Sequence, residues 1–158
     1  MELYPIDDEG RLYISADLDD WGPVEEHKIG VVFDLDDDVD VAIPEIPDHL
    51  LYVYFPFEDA GLPHLQRLHA LARLGAEMAR CGNHVLSHCG MGHNRSALLM
   101  GLILVYLGKS GTEAVDLIRS KRKGALYNHV FAGYLQSLAG PPTDLSDLPS
   151  RSSDPAAS

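Results

Sequence analysis

The stretch VLSHCGMGHNRSALLMGLILVY, residues 85–106, joins a predicted strand to a predicted helix and decides the fold. The apolar, β-branched run that ends at His88 is typical of a short buried strand. The apolar segment 95–107 is typical of a buried helix. Sites in α/β proteins lie where a strand's carboxyl end feeds a helix. The segment from Cys89 to Ser96 is therefore the leading candidate for a functional site.

The hydrophobic pattern on either side of this stretch predicts one α/β domain. Strands are predicted at 11–16, 30–35, 39–43, 50–57 and 84–88, and helices at 63–81, 95–107, 112–121 and 128–138, with a loop and a short helix at 17–30. A βαβ unit made of 50–55, 63–81 and 84–88 has parallel strands, whereas the pair within 30–43 looks antiparallel. We predict a domain of residues 1–139 with a central mixed sheet of about five strands flanked by helices. A flexible tail rich in Pro, Ser and Asp is predicted at 140–158.

Charge and length exclude several function classes. The formal charge of −12, with 24 acidic and 12 basic residues, disfavours general binding to nucleic acid or to an anionic membrane. Helix 97–107 has about eleven apolar residues, whereas a membrane span needs about 20. The acidic start of the chain does not resemble a signal peptide. We therefore expect a cytoplasmic monomer that binds neither nucleic acid nor membrane.

The loop after the predicted strand has the composition of an anion site. Gly90 and Gly92 permit backbone angles that turn successive N–H groups inward, as a nest for an anion. The N-terminus of the following helix adds its dipole and its free N–H groups. Such a cradle suits a tetrahedral oxyanion, phosphate above all. It also favours the thiolate form of Cys89, because the amides stabilise a negative charge.

Arg95 and Ser96 complete a nucleophilic centre. The arginine offers a planar pair of donors for two phosphate oxygens, and the serine can hydrogen-bond the sulfur. These groups place a nucleophile and donors around a phosphorus atom. In a purely structural reading, Cys89 is a small buried hydrophobe at a strand–helix corner. That reading explains the glycines but not the cysteine, arginine and serine together.

A metal site is the other alternative for this region. Its ligands would be His84, His88, Cys89 and His93. It is disfavoured because His84 and His88, on one face of a strand, lie about 13 Å apart.

The motif HCGMGHNRS fits the HCxxGxxR[ST] signature of the cysteine-dependent protein tyrosine phosphatases. The length of the chain and the order of its predicted elements over residues 11–138 resemble those of the small dual-specificity phosphatases. The resemblance implies a phosphatase-II-like fold, a phosphocysteine intermediate, no metal or cofactor, and a phosphorylated protein or peptide as substrate. It makes Cys89 the nucleophile, Arg95 the phosphate clamp and Ser96 the helper of the leaving thiolate, with His88 orienting the loop and supporting the thiolate. The residues predicted to bind the phosphoryl group are His88, Gly90, Met91, Gly92, His93 and Asn94.

This chemistry also needs a general acid, because an alkoxide or phenolate leaves poorly without a proton. The segment YFPFEDAGLP follows what we take to be the neighbouring parallel strand, and it offers Glu58 and Asp59. In the family the acid lies about thirty residues before the nucleophile. Asp59 is therefore the predicted acid, and later the base for the attacking water, with Glu58 as the alternative. Either residue could instead cap the helix at 63–81.

The sequence leaves the substrate open. The loop has no lysine, which together with the acidic charge counts against a phosphoinositide, although a partly protonated His93 would blur this point. Asn94 beside Arg95 resembles the RNA 5′-triphosphatases, but the acidic composition argues against RNA. A shallow site would admit phosphotyrosine, phosphoserine and phosphothreonine. A catalytically weak phosphoprotein-binding module, or the same chemistry on a phosphoinositide or an RNA 5′-phosphate, remains an alternative.

Three further features have competing interpretations. The basic cluster KRK at 121–123 is either a solvated helix end or a rim patch that guides acidic phosphopeptides. The acidic run DLDDDVD at 34–40 is interpreted as a solvated turn, because it lacks the spacing of a calcium loop. Cys81 is interpreted as a bystander, with a regulatory disulfide to Cys89 as the alternative.

Overall fold

A central β-sheet with helices and loops on both faces organises the chain in the computed structural model, which describes residues 1–149. The strands are β1 (Tyr4–Pro5), β2 (Leu12–Ser15), β3 (Ile29–Asp34), β4 (Leu51–Tyr54) and β5 (His84–His88). The helices are α1 (Gly22–Glu26), α2 (Leu65–Arg80), α3 (Arg95–Tyr106), α4 (Gly111–Lys121) and α5 (His129–Gln136), followed by a 3-10 helix (Leu145–Asp147). The predicted single α/β domain with a mixed sheet of five strands is confirmed.

The sheet is mixed for a different reason from the one predicted. Its strand order is β1-β2-β5-β3-β4, and only β1 runs antiparallel to its neighbour. The strand predicted at 39–43 is wrong, because this segment is a loop in which Val41 is 74% exposed. Ala42 has a φ of +55°, which lies outside the extended region and interrupts any strand there.

The βαβ unit predicted from 50–55, 63–81 and 84–88 skips one strand. Strands β4 and β5 point the same way, as predicted, but β3 lies between them and pairs with both. The prediction that β4 is the neighbour of β5 is therefore wrong. The direct neighbours of β5 are β2 and β3, so their carboxyl ends border the loop that follows His88.

Alternating side chains divide the strands between two hydrophobic layers. Ile14, Phe33 and Val85 face the larger core, which α2 to α5 cover, and α3 is buried along its whole length after its first residue. Tyr13, Val32 and Leu86 face a smaller core beside α1. Along β5 this alternation carries Cys89 to the larger core. The side chain of His88 therefore lies on the opposite face of the sheet.

Part of the predicted tail packs on α2. Leu145 contacts the larger core, and the Gln66 side-chain amide donates a hydrogen bond to the Leu148 carbonyl oxygen at 2.8 Å. The remainder of that tail lies outside the described residues, and the domain boundary at residue 139 stays a prediction. Within residues 1–149, every helix is too short or too polar to cross a membrane.

Candidate active site

The loop of residues 89–94 lies where the carboxyl ends of β2, β3 and β5 meet. The Leu35 N–H donates to the His88 carbonyl oxygen at 3.1 Å, and the Cys89 N–H donates to the Ser15 carbonyl oxygen at 3.4 Å. These bonds extend the sheet by one residue beyond β5, and α3 begins directly after the loop at Arg95. The loop therefore has a fixed strand at one end and a buried helix at the other, as the sequence predicted.

The two glycines of the loop serve different purposes. Gly92 has a φ of +67°, and a Cβ atom there would lie 2.7 Å from the carbonyl carbon of Ser15. A Cβ atom at Gly90 would lie 3.3 Å from Nη2 of Arg95 and 3.4 Å from Oδ1 of Asp36. Gly92 therefore allows the loop to pass closely over β2, whereas Gly90 leaves room beside the guanidinium group.

We predict that Gly92→Ala lowers the free energy of unfolding by about 2 kcal/mol or more, because it combines a left-handed backbone angle with contact against the β2 backbone. The matched control is Gly133→Ala in α5, where a Cβ atom meets nothing within 4 Å. This control should be neutral or stabilise the chain by up to about 1 kcal/mol. Urea unfolding of both variants measures the difference. Equal stability of the two variants would contradict the prediction.

Cys89 lies at the floor of the loop with its sulfur directed at the start of α3. The residue is only 2% exposed. Its Sγ atom lies 3.4 Å from the Ser96 hydroxyl oxygen and accepts a hydrogen bond of the same length from the Ser96 N–H. Ser87 supports this arrangement by donating to the Ser96 carbonyl oxygen at 3.0 Å. The structure thus brings together the predicted nucleophile and the serine that was expected to contact it.

Acidic groups and carbonyl oxygens hold the Arg95 side chain beside the loop. Its guanidinium nitrogens lie 3.2 Å from Asp36 Oδ1 and 3.4 Å from Asp37 Oδ1. The same group donates to the carbonyl oxygens of Leu35 and Phe57 at 3.5 and 3.3 Å. Its Nε atom is buried and has no hydrogen-bond partner within residues 1–149. The sequence analysis identified the arginine but missed its two carboxylate partners.

Asp36 shares a hydrogen bond with a second carboxyl group, Asp17. Burial alone would raise the pKa of Asp36. The net effect is a lowered pKa, because Asp36 accepts hydrogen bonds from Asp17 and the Asp37 backbone and lies beside the charge of Arg95. Loss of hydration, the hydrogen bond to Asp36 and its negative charge raise the pKa of Asp17 to about 6. Below that pH the pair carries one negative charge beside the arginine, and above it the pair carries two. The solvated turn predicted at 34–40 is therefore wrong for Asp36. It is also wrong for Asp34, which is fully buried in β3, and for Asp40, which lies 2.7 Å from His88 Nε2.

Asp59 contacts the loop directly through the residue that precedes Arg95. Its Oδ2 atom accepts a hydrogen bond from the Asn94 side-chain amide at 2.8 Å, and its Oδ1 atom accepts one from the Asn128 amide at the same distance. The alternative that Asp59 or Glu58 caps α2 is wrong, because His64 is the N-cap. The predicted acid and the predicted loop thus meet, and Asn128 is a residue that the sequence analysis missed.

The segment that carries Asp59 crosses the end of β3 to reach the loop. The Phe55 N–H donates to the Asp34 carbonyl oxygen at 2.9 Å, which extends the β3–β4 pairing. The ring of Phe57 packs 6.1 Å from that of Phe131, and its carbonyl oxygen accepts the bond from Arg95. These contacts bring Asp59 to the loop although β4 is not the neighbour of β5.

The side chain of His88 points away from Cys89, which corrects the prediction that it binds the phosphoryl group. Its predicted role in orienting the loop stays a prediction. Its Nε2 atom lies 2.7 Å from Asp40 Oδ2 and 3.7 Å from Asp34 Oδ1, on the face of the sheet opposite the cysteine. The Tyr52 hydroxyl lies within hydrogen-bond distance of both carboxylates and can donate its one proton to either of them. Burial and the hydrogen bond to Asp34 raise the pKa of Tyr52, and burial raises that of Asp34. His88 therefore belongs to a buried polar network beneath the loop rather than to the surface that would meet a phosphoryl group.

The same network contains the residues that could hold a metal ion. Within residues 1–149, Asp34, Asp40 and His88 form the one group whose potential ligand atoms lie within 4.8 Å of one another. It is not the site considered from the sequence, since His84, at the other end of β5, contacts the His27 carbonyl oxygen at 2.7 Å. The hydrogen bonds within this network explain the proximity of its carboxylates and imidazole.

The segment 122–128, before α5, holds the loop from outside. The Arg122 side chain donates to the carbonyl oxygens of Met91 and Gly92 at 3.2 and 3.3 Å. The Leu126 N–H donates to the His93 carbonyl oxygen at 2.8 Å, and the Asn128 N–H donates to Asn94 Oδ1 at 3.0 Å. Arg122 also lies 4.2 Å from the ring centroid of Tyr4. The central residue of the KRK cluster thus supports the loop, a role that neither predicted alternative included.

The remaining loop side chains add little charge. Burial and then the charge of Arg122 lower the pKa of His93, so the imidazole is neutral near pH 7. This removes the doubt about a protonated His93 that the sequence left. Met91 is 64% exposed at the rim of the loop.

The two cysteines cannot form the disulfide that the sequence left open. Cys81 follows α2 and is exposed, whereas Cys89 is buried at the other end of β5. The strand between them spans about 13 Å at roughly 3.3 Å per residue. Cα atoms joined by a disulfide lie within about 7 Å. Cys89 would need another partner to be oxidised in this way.

Solved structures similar to this chain are phosphatases. Tk-PTP in its active form is 25% identical with a TM-score of 0.65, and the match covers 85% of this chain and 96% of that one. Human DUSP28 is 18% identical with a TM-score of 0.72, and the match covers 85% of this chain and 94% of that one. PTPMT1 in complex with PI(5)P is 18% identical with a TM-score of 0.70, and the match covers 85% of this chain and 92% of that one. No protein-family model and no curated protein matches the chain. The predicted likeness to the dual-specificity and tyrosine phosphatases is confirmed at the level of the fold.

Proposed function

We propose that this chain, which has the fold of the dual-specificity and tyrosine phosphatases, is a phosphomonoesterase that works through a phosphocysteine intermediate. The observation that carries the proposal is the hydrogen bond of 2.8 Å between Asp59 and Asn94. It joins Asp59, the predicted proton donor, to the loop that contains Cys89, Arg95 and Ser96. A nucleophile, a clamp for oxygens and an acid in one site are the parts that phosphoryl transfer requires.

In the first step, the Cys89 thiolate attacks phosphorus. An S–P bond forms as the P–O bond to the leaving group breaks, and Asp59 gives its proton to the departing oxygen. Arg95 and the N–H groups of the loop stabilise the equatorial oxygens. The buried Nε–H of Arg95, which has no partner within the described part of the chain, is one donor that an oxyanion would satisfy.

In the second step, water attacks phosphorus on the phosphocysteine. Asp59, now ionised, accepts a proton from that water, the S–P bond breaks and inorganic phosphate leaves. The departing thiolate takes its electron pair back while the hydroxyl and N–H of Ser96, both 3.4 Å from the sulfur, stabilise its charge. Atoms and charge balance over the two steps, and no metal ion takes part.

The charge of the site favours a phosphorylated protein or peptide as substrate. Asp36 and Asp37 lie against Arg95, and His93 is neutral, so the site offers little positive charge for additional phosphates. PTPMT1 was solved with PI(5)P, which keeps a phosphoinositide as the competing substrate class. The net charge of −12 works against that class and against RNA.

The test is hydrolysis of an aryl phosphate by the wild-type chain in the presence of a chelator, compared with the Cys89→Ser variant. Turnover that survives the chelator and disappears in the variant supports the proposal. Wild-type binding of phosphopeptides without turnover would instead indicate a phosphoprotein-binding module. Phosphotyrosine and phosphoserine peptides, PI(5)P vesicles and a 5′-triphosphate RNA then compare the substrate classes directly.

The Asp17–Asp36 pair predicts that oxyanions bind more weakly as the pH rises through about 6. Above that pH Asp17 loses the shared proton, and the added negative charge beside Arg95 should weaken binding roughly fivefold. The measurement is sulfate binding to the Cys89→Ser variant between pH 5 and 7. The variant has no thiol at this position, and sulfate does not titrate in this range, so neither contributes to the pH dependence. The further change Asp17→Asn should flatten this dependence. A slope that persists in that double variant would contradict the assignment.

A further inference from the structure

We propose that Asn94 and Asn128 are positioning residues of Asp59, and that their amide groups direct the proton of Asp59 toward the leaving group. The proposal rests on the proposed function, because it concerns the acid of that reaction. Asn94 belongs to the loop, and Asn128 is the N-cap of α5, so the two amides reach Asp59 from different elements. Each forms a hydrogen bond of 2.8 Å to a different oxygen of the carboxyl group.

Backbone N–H groups determine which end of each amide faces Asp59. The side-chain oxygen Oδ1 of Asn94 accepts from the Asn128 N–H at 3.0 Å. The side-chain oxygen Oδ1 of Asn128 accepts from the Val130 and Phe131 N–H groups at 3.0 and 3.3 Å. A backbone N–H can only donate, so the oxygen of each amide must face it. The NH₂ groups of both asparagines are therefore turned toward Asp59.

This orientation gives Asp59 two neighbours that donate and none that accepts. When the carboxyl group is protonated, its own O–H cannot donate to an NH₂ group. The proton must therefore point to the open side of Asp59, which is exposed at the mouth of the site. A leaving-group oxygen bound there is the acceptor that remains. The two amides thus hold the acid in place and leave its proton free for transfer.

The arrangement also links the acid to the phosphate site. Asn94 directly precedes Arg95, so one short piece of backbone places the clamp for the oxygens and the partner of the acid. Asn128 adds a hydrogen bond of 3.1 Å to the Ala60 carbonyl oxygen, which fixes the backbone after Asp59. Loss of the Asn128 amide would therefore displace the proton without displacing Cys89 or Arg95.

The experiment compares Asn128→Ser with the matched control Asn83→Ser. Serine keeps an N-cap acceptor for α5 but cannot reach Asp59. Asn83 lies before β5, at the end of the strand remote from the loop, and its amide donates to the Met78 carbonyl oxygen. With phenyl phosphate, whose phenolate is a poor leaving group, Asn128→Ser should lower kcat/KM, which reports the first step only, about 10- to 100-fold. With 4-nitrophenyl phosphate, whose leaving group needs less protonation, the loss should be below about threefold. The control should match the wild type on both substrates.

A double variant separates positioning from a general structural defect. In an Asp59→Asn background, Asn128→Ser should cause no further loss, because both changes remove the same proton transfer. Asn94→Asp, which keeps the acceptor for the Asn128 N–H but removes the donor to Asp59, should show the same dependence on the leaving group. Equal losses on both substrates, or additive losses in the double variant, would overturn the proposal. An inactive wild type, or activity that survives Cys89→Ser, would instead overturn the proposed function.

Discussion

Cys89→Ser is expected to reduce turnover of an aryl phosphate by about 10⁴-fold or more, while binding of a sulfate or tungstate ion persists. Serine keeps the small size of the side chain at this buried position, so the loop and α3 should retain their arrangement. The hydroxyl is a far weaker nucleophile than a thiolate, and the side chain that contacts this position within residues 1–149 is that of Ser96, which is not a base. Steady-state kinetics and calorimetric titration of the ion measure the two properties separately.

The matched control for this change is Cys81→Ser. Cys81 is the other cysteine of the chain and is exposed after α2, at the end of β5 that is remote from the loop. It should retain wild-type turnover. Comparable losses in both variants would point to a general effect of removing a thiol, and full activity of Cys89→Ser would exclude a phosphocysteine intermediate.

The local pattern of the chain was enough to predict most elements of the fold. Helix 95–107 was predicted within one residue of α3, because its long apolar run has only one reasonable conformation. The predicted strand at 84–88 coincides with β5 for a similar reason, since Gly82 and the loop glycines mark its two ends. These features depend on residues that are close in the chain.

The order of the strands could not be predicted in the same way. Hydrophobic alternation shows that β3 and β4 are strands, but it does not show that β3 inserts between β4 and β5. The error at 39–43 has a similar origin, since alternating valines and aspartates look like a strand although Ala42 adopts a positive φ. Sheet order depends on contacts between distant segments, which a single sequence does not reveal.

The candidate site shows the same division between local and distant features. The motif at 88–96 carried the prediction of Cys89 and Arg95, and a family spacing of about thirty residues carried that of Asp59. The partners that hold these residues come from elsewhere in the chain. Asp36 reaches Arg95 only because β3 lies beside β5, and Asn128 reaches Asp59 only because α5 begins behind the loop. A run of aspartates was taken for a solvated turn because most such runs are exposed.

Arg95→Lys is expected to lower kcat by about 10³-fold although the positive charge is kept. The planar guanidinium group contacts Asp36, Asp37 and the Phe57 carbonyl oxygen at once, and its buried Nε–H has no hydrogen-bond partner within residues 1–149. One ammonium group cannot serve these directions together. The substitution should therefore mainly weaken the hold on the equatorial oxygens.

The dependence on the leaving group distinguishes this loss from that of an acid variant. Equatorial oxygens carry charge whatever group departs, so Arg95→Lys should lower kcat/KM for phenyl and 4-nitrophenyl phosphate alike, whereas Asp59→Asn should spare kcat/KM for the second. The matched control is Arg80→Lys, because Arg80 bridges Glu77 and the Tyr106 carbonyl oxygen away from the loop. If Arg95→Lys slowed only phenyl phosphate, the arginine would act mainly by holding the Asp59 segment. In that case the loop amides alone would stabilise the transferred phosphoryl group.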